Sequence, residues 1–150
     1  MSPPAALLVV EDEPNDVLFI RRGLARAGIL EGPQETRDGE EAVAYLEGRP
    51  PFEDRAKHPL PSLILLDLKL PRRSGLEVLA WLRKQPGPLG ETPVIVLTSS
   101  KEQSDMDRAA ALGVLAYHVK PVSYSDFMSR VESIGKHWLS MAPPTQARRP

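Results

Sequence analysis

Leu63-Ile64-Leu65-Leu66-Asp67-Leu68-Lys69-Leu70-Pro71 is the stretch on which the reading of the whole chain turns. Consecutive apolar residues without alternation mark a strand buried on both faces of a parallel sheet. Here the run stops abruptly on an acid, and a turn-forming proline follows. Leu7-Leu8-Val9-Val10 repeats the pattern and ends on Glu11-Asp12, and Val94-Ile95-Val96-Leu97 repeats it again and ends on Thr98. Val114-Leu115-Ala116-Tyr117 is a further apolar run, with Lys120 just beyond it. A weaker, more polar segment around Glu35-Thr36-Arg37 fits an edge strand.

Between the runs the period changes to that of a helix. The first helix is predicted to begin at Pro14, with Val17, Ile20, Leu24 and Ala27 on one stripe and Gly28 as its stop. A second is expected from about Glu40 to Glu47. The third opens with Ser74 and Glu77 at capping-box spacing, and the last opens with Ser123 and Asp126 and carries Phe127, Val131, Ile134 and Trp138 inward. The fourth, Glu102 to Leu112, offers only Met106, Ala109, Ala110 and Leu112 as apolar candidates, so it is expected to be the most weakly packed. Five alternations of strand and helix predict an α/β fold: a doubly wound, five-stranded parallel sheet in the flavodoxin-like order 2-1-3-4-5 with five helices. Residues 48–61 contain four prolines and no period, and read as a surface loop. The domain is expected to span residues 1–141, with 142–150 as a flexible tail.

Bulk properties narrow the function classes. At 150 residues there is room for one domain burying roughly 70% of its unfolded surface. A net charge of −1 with scattered basic residues gives no electrostatic reason to expect nucleic acid or an anionic membrane as a direct partner. The absence of cysteine excludes disulfides and thiolate metal sites. The apolar run from Ala5 to Val10 meets Glu11-Asp12-Glu13 at once, too short for a signal peptide or a membrane span, so the expected location is the cytoplasm.

In an open α/β sheet the ligand crevice lies beyond the carboxyl ends of the strands, where the strand order reverses. That rule brings Glu11 and Asp12 beside Asp67. Crowded carboxylates repel one another unless a cation joins them, and an all-oxygen set suits Mg²⁺. Thr98 and Lys120 deliver a hydroxyl and an ammonium to the same edge, groups that suit phosphoryl oxygens. A carboxylate nucleophile, a cation, a hydroxyl and an amine make a phosphoryl-transfer site working by positioning and electrostatics. Taken singly, Glu13 and Asp16 read as helix-start acids, and His58, His118 and His137 as surface or packing residues without metal-ligand spacing.

Through Leu8-Val9-Val10-Glu11-Asp12, Leu65-Leu66-Asp67-Leu68-Lys69-Leu70-Pro71, Val96-Leu97-Thr98-Ser99-Ser100 and Tyr117-His118-Val119-Lys120-Pro121, the chain resembles the receiver domain of bacterial two-component response regulators over about residues 5–140. The resemblance implies that Asp67 is the phosphoacceptor and that Glu11, Asp12, Asp67 and the Lys69 backbone carbonyl hold Mg²⁺. It further implies that Thr98 and Lys120 bind the phosphoryl group, that Tyr117 is the switch partner of Thr98, and that Lys120–Pro121 is a cis bond. It implies a sensor histidine kinase as the phosphodonor. Glu11-Asp12-Glu13-Pro14-Asn15-Asp16-Val17, the 48–61 loop and Asp67-Leu68-Lys69-Leu70-Pro71-Arg72 look most like single-domain regulators paired with bacterial phytochrome kinases. Lys69 and Ser100, each two places after a pocket residue, are expected to screen an acyl phosphate from water.

With so little chain after the last helix, output is expected through protein association, a homodimer included, with the downstream protein unnamed. A haloacid-dehalogenase-type phosphatase would want an acid where Lys69 stands. A flavin carrier would want small residues where Glu11 to Glu13 would repel a phosphate. The alternative that survives is a receiver-like binding module working without phosphorylation.

Overall fold

The computed structural model describes residues 6–141. Strands β1 (Leu7–Val10), β2 (Gln34–Thr36), β3 (Leu63–Leu66), β4 (Val94–Thr98) and β5 (Ala116–Val119) alternate with helices α1 (Pro14–Arg26), α2 (Gly39–Glu47), α3 (Gly75–Arg83), α4 (Gln103–Ala111) and α5 (Tyr124–Ser140). The sheet is wholly parallel in the order β2-β1-β3-β4-β5, as the alternation predicts.

Each apolar run divides its side chains between two cores, because successive strand residues face opposite sides. Leu8, Val10, Ile64, Leu66, Val94 and Val96 join the core under α2, α3 and α4. Leu7, Val9, Leu63, Leu65, Ile95 and Leu97 join the core under α1 and α5. The runs lack alternation because both faces of the sheet are covered. Burying each such leucine or valine contributes about 2 kcal/mol, which is why the three central strands tolerate no polar residue before their ends.

The helix starts follow the sequence signals. Ser74 and Glu77 exchange the two bonds of a capping box, and the Ser123 hydroxyl accepts from the Asp126 amide. On α5, Phe127, Val131, Ile134 and Trp138 are all buried. Helices α1 and α5 pack closely because Gly23 has no Cβ, which would lie 2.7 Å from Val131 Cβ. Helix α4 buries only Ala109; Met106 and Leu112 are half-buried and Ala110 is exposed. Its N-terminus has no side-chain cap, whereas its C-terminal end is held by Arg83, whose Nε donates to the Leu112 carbonyl at 2.7 Å.

Three expectations change. Strand β5 begins two residues later than the apolar run, because Gly113 (φ 75°) turns the chain out of α4 and the Val114 amide still bonds back to Ala109. As an edge strand, half-buried throughout, β5 accepts a polar His118, so apolar content misplaces it. Strand β2, by contrast, lies one residue earlier than expected, at Gln34–Thr36 and not around Glu35-Thr36-Arg37. The Lys120–Pro121 bond is trans, and the cis bond among the described residues is Pro50–Pro51. Proline leaves only about 0.5–1 kcal/mol between the two isomers, and the Lys120 ammonium reaches its carboxylate partners with the trans bond in place.

The 48–61 segment is indeed a loop, but a pinned one. Arg55 donates to the carbonyls of Tyr45, Leu46 and His58, and the Tyr45 hydroxyl donates to Pro59 O at 2.7 Å. Phe52 and His58 pack their rings against Tyr45, which gives His58 the packing role expected of it. The tail expected from Ala142 onward lies outside the described residues. Among the described residues no helix is long and apolar enough to cross a membrane.

Candidate functional site

Strand register builds the site. Val10 pairs with Leu66, so the next residues, Glu11 and Asp67, emerge side by side, and the Asp67 amide still donates to Val10 O at 3.1 Å. Thr98 pairs with Val119, and the Lys120 amide donates to Thr98 O at 2.7 Å, which starts the Lys120 side chain from the same edge. Glu11, Asp12 and Asp67 each offer a carboxylate oxygen, and these oxygens all lie within 4.8 Å of one another. Glu11 and Asp67 are buried, whereas Asp12 is exposed and borders an open cleft of about 530 Å³ that Lys69, Leu70, Asp105 and Arg108 also line.

The Lys120 ammonium sits among the acids, with Nζ 2.8 Å from Glu11 Oε1, 2.7 Å from Asp16 Oδ2 and 2.9 Å from Asp67 Oδ2. The other Asp67 oxygen, Oδ1, accepts the Lys69 amide at 3.1 Å. Gly75, the first residue of α3, lets its helix start against the Asp67 backbone; a Cβ there would lie 2.6 Å from Leu68 Cα.

Electrostatics mark the cluster as short of positive charge. Burial, and next the Asp67 charge, push the Glu11 carboxyl from 4.5 to about 7 despite the pull of Lys120. Burial works against the Lys120 charge, but Asp67, Glu11 and the bond to Asp16 outweigh it and raise its pKa, so the ammonium persists. One ammonium pairs with the carboxylates of Glu11, Asp16 and Asp67, and Asp12 adds a further carboxylate beside Glu11 and Asp67. Oxygen-only donors around uncompensated charge fit a hard divalent cation such as Mg²⁺.

Thr98 is fully buried at the end of β4, and its hydroxyl accepts the Ser100 amide at 3.4 Å. The Tyr117 hydroxyl donates to the Ser100 carbonyl at 3.0 Å, so Thr98 and Tyr117 meet at Ser100. The Ser100 hydroxyl donates to Asp105 Oδ2 on α4 at 2.5 Å. Burial raises the Tyr117 phenol, which therefore stays a donor.

The fold thus gathers Glu11, Asp12, Asp67 and Lys120, and sets Thr98 and Tyr117 on a neighbouring knot. Glu13 is the helix cap expected, accepting the Asn15 amide. Asp16 is not merely a helix-start acid, because it pairs with Lys120. The signal was present: Asp16 lies one turn before Ile20 on the inward stripe of α1, and an acid on an apolar stripe needs a partner.

Comparison with known proteins agrees with this fold. The family model described as "Response regulator receiver domain" matches residues 7–132. The response regulator Rcp1 of Synechocystis is 36% identical over 138 residues, covering 92% of this chain and 91% of Rcp1. The crystal structure of the phosphorylated cyanobacterial phytochrome response regulator RcpA superposes with a TM-score of 0.85 at 34% identity, covering 93% of this chain and 97% of RcpA. The Mn²⁺-bound form of Rcp1 gives a TM-score of 0.84 at 34% identity, over 93% of this chain and 97% of that one. The chain therefore belongs to the response regulator receiver-domain family of two-component signalling, with phytochrome response regulators among its near relatives.

Proposed function

We propose that this chain is a phosphorylation-operated switch of the cytoplasm, in which Asp67 accepts a phosphoryl group from a sensor histidine kinase. A carboxylate oxygen of Asp67 attacks phosphorus, a P–O bond forms as the P–N bond of the donor phosphohistidine breaks, and the released imidazole takes up a proton. Glu11, Asp12, Asp67 and the Lys69 backbone carbonyl are the groups that would hold Mg²⁺. When bound, the ion supplies charge neutralisation for the transferring phosphoryl oxygens. Lys120, already 2.9 Å from Asp67, supplies an ammonium for a phosphoryl oxygen, and the Thr98 hydroxyl supplies a further donor.

Recruiting Thr98 takes its hydroxyl from the Ser100 amide, and Ser100 also holds Tyr117 and Asp105. A shift there therefore reaches α4, whose only buried residue is Ala109. Output follows through protein association, with a second copy of the chain included among the candidates, on the face of α4, β5 and α5, where Leu115, Val122 and Tyr124 are exposed. The likeness to Rcp1 and RcpA supports a kinase of the phytochrome type.

The observation that carries the proposal is the meeting of Asp67, two further acids and one ammonium at a single strand edge. Intact mass spectrometry with Mg²⁺ and a small phosphodonor tests it. The wild type gains one phosphoryl mass and Asp67→Asn gains none. Failure of the wild type to gain mass leaves a binding module that works without phosphorylation.

A further inference from the structure

We infer that Asp16 is a positioning residue that holds the Lys120 ammonium when a divalent cation takes Glu11 and Asp67. The inference rests on the proposal above that these carboxylates bind Mg²⁺, and it assigns a task to an acid outside that set.

An ammonium has three N–H donors, and Lys120 has three carboxylate partners, so its bonding capacity is filled. Glu11 and Asp67 belong to the group of acids whose oxygens converge; Asp16 does not. A cation on that group and an ammonium on the same oxygens are like charges competing for the same lone pairs. Lys120 must then loosen its hold on Glu11 and Asp67. Its side chain is 11% exposed, so leaving the pocket means crossing to solvent, and remaining unpaired is costly. Asp16 is the partner that Lys120 can keep.

Asp16 is built for this task. Its Oδ2 is 2.7 Å from Lys120 Nζ, the shortest of the three contacts. Its backbone is fixed in the first turn of α1, where Pro14 starts the helix and Glu13 supplies the side-chain cap, so Asp16 is free of capping duty. It reaches the ammonium from α1 and does not line the cleft that Asp12 borders. With Asp16 in place the ammonium stays in the pocket for an incoming phosphoryl oxygen without blocking the cation's ligands. With asparagine there, the ammonium falls back on Glu11 and Asp67 and resists the cation.

Isothermal titration of MgCl₂ into the full chain at fixed pH tests this, using wild type, Asp16→Asn, Asp16→Glu, Lys120→Met and the Asp16→Asn/Lys120→Met pair, with Asp12→Asn as the control for the cation site. Asp16→Asn should bind about tenfold more weakly, the scale of one lost bond between charged groups. Asp16→Glu should recover most of the affinity. Lys120→Met should bind at least as tightly as wild type, and adding Asp16→Asn to it should change affinity by less than about twofold, because no ammonium remains to be held. Wild-type affinity in Asp16→Asn overturns the inference. So does an equal loss with and without Lys120, which would make Asp16 a distant negative charge only. If wild type shows no Mg²⁺ binding, or Asp12→Asn does not weaken it, the cation site itself fails, and the inference fails with it.

Discussion

Replacing Gly75 with alanine asks whether the backbone around the phosphoacceptor is as tightly determined as the geometry implies. Gly75 opens α3, and its amide donates to Leu68 O at 3.0 Å. A Cβ at this position would sit 2.6 Å from Leu68 Cα and 3.0 Å from the Asp67 carbonyl carbon, where ordinary contacts begin at 3.4 Å. Those neighbours are backbone, so they cannot swing aside as the end of a flexible side chain could. Relief requires about 1 Å of movement by the turn that carries Asp67, at a cost of about 3 kcal/mol, the upper part of the usual range for overpacking. For a domain of this size that lowers the melting temperature by roughly 10 °C. A displacement of about 1 Å at a reacting group costs on the order of 100-fold in rate. Gly32→Ala is the matched control, because nothing lies within 4 Å of its Cβ position. Thermal unfolding followed by circular dichroism, and phosphorylation time courses by mass, should separate the two variants. If Gly75→Ala melts with Gly32→Ala and is phosphorylated at the wild-type rate, the argument that α3 fixes the Asp67 turn is wrong.

Three further outcomes follow from particular contacts. In metal-free protein, the raised carboxyl of Glu11 means that between pH 4.5 and about 7 the folded chain binds the proton that the unfolded chain has lost. Its contribution to stability is thus intact below the lower value and is lost as pH rises through the upper one. Glu11→Gln stays neutral throughout, so in chelator its stability should match wild type at pH ~4 and exceed it by up to about 3 kcal/mol at pH ~8, as read by urea unfolding. A Glu11→Gln protein less stable than wild type at pH 8 contradicts that charge balance. Arg55→Ala removes the donor to three carbonyls at the end of α2 and in the following loop, and should cost about 2 kcal/mol while speeding amide exchange across residues 48–61. Ser100→Ala cuts the bond to Asp105, and should raise amide exchange in α4 with a loss of about 1 kcal/mol; unchanged α4 exchange would remove Ser100 as the link between Thr98 and that helix.

Much of this was legible in the residues because the deciding features are local. The runs at 7–10, 63–66 and 94–97 announce strands covered on both faces, and Ser74 and Ser123 mark helix starts through bonds spanning three residues. Glu11, Asp12, Asp67 and Lys120 were found because a parallel sheet brings all its carboxyl strand ends to one edge, so a position at a strand end is already a position in space. What escaped depends on how side chains choose partners. Asp16 lies 104 residues from Lys120, and its place on the inward stripe of α1 says that it needs a partner without saying which one. Ser100 joins Thr98, Tyr117 and Asp105 only once β4, β5 and α4 are assembled. The pinning of the 48–61 loop by Arg55 reads from sequence as a surface charge among prolines. The start of β5 was displaced because an edge strand with a single neighbour carries little hydrophobic signal.

The most direct test of the switch is to trap the bond itself. After phosphorylation with Mg²⁺ and a small phosphodonor, borohydride reduces an acyl phosphate on aspartate to homoserine, and peptide mapping then locates the altered residue. Homoserine at position 67, absent without phosphodonor, is the expected result. Homoserine at another acid, or at none while the protein has gained a phosphoryl mass, would contradict the assignment of Asp67 as the acceptor.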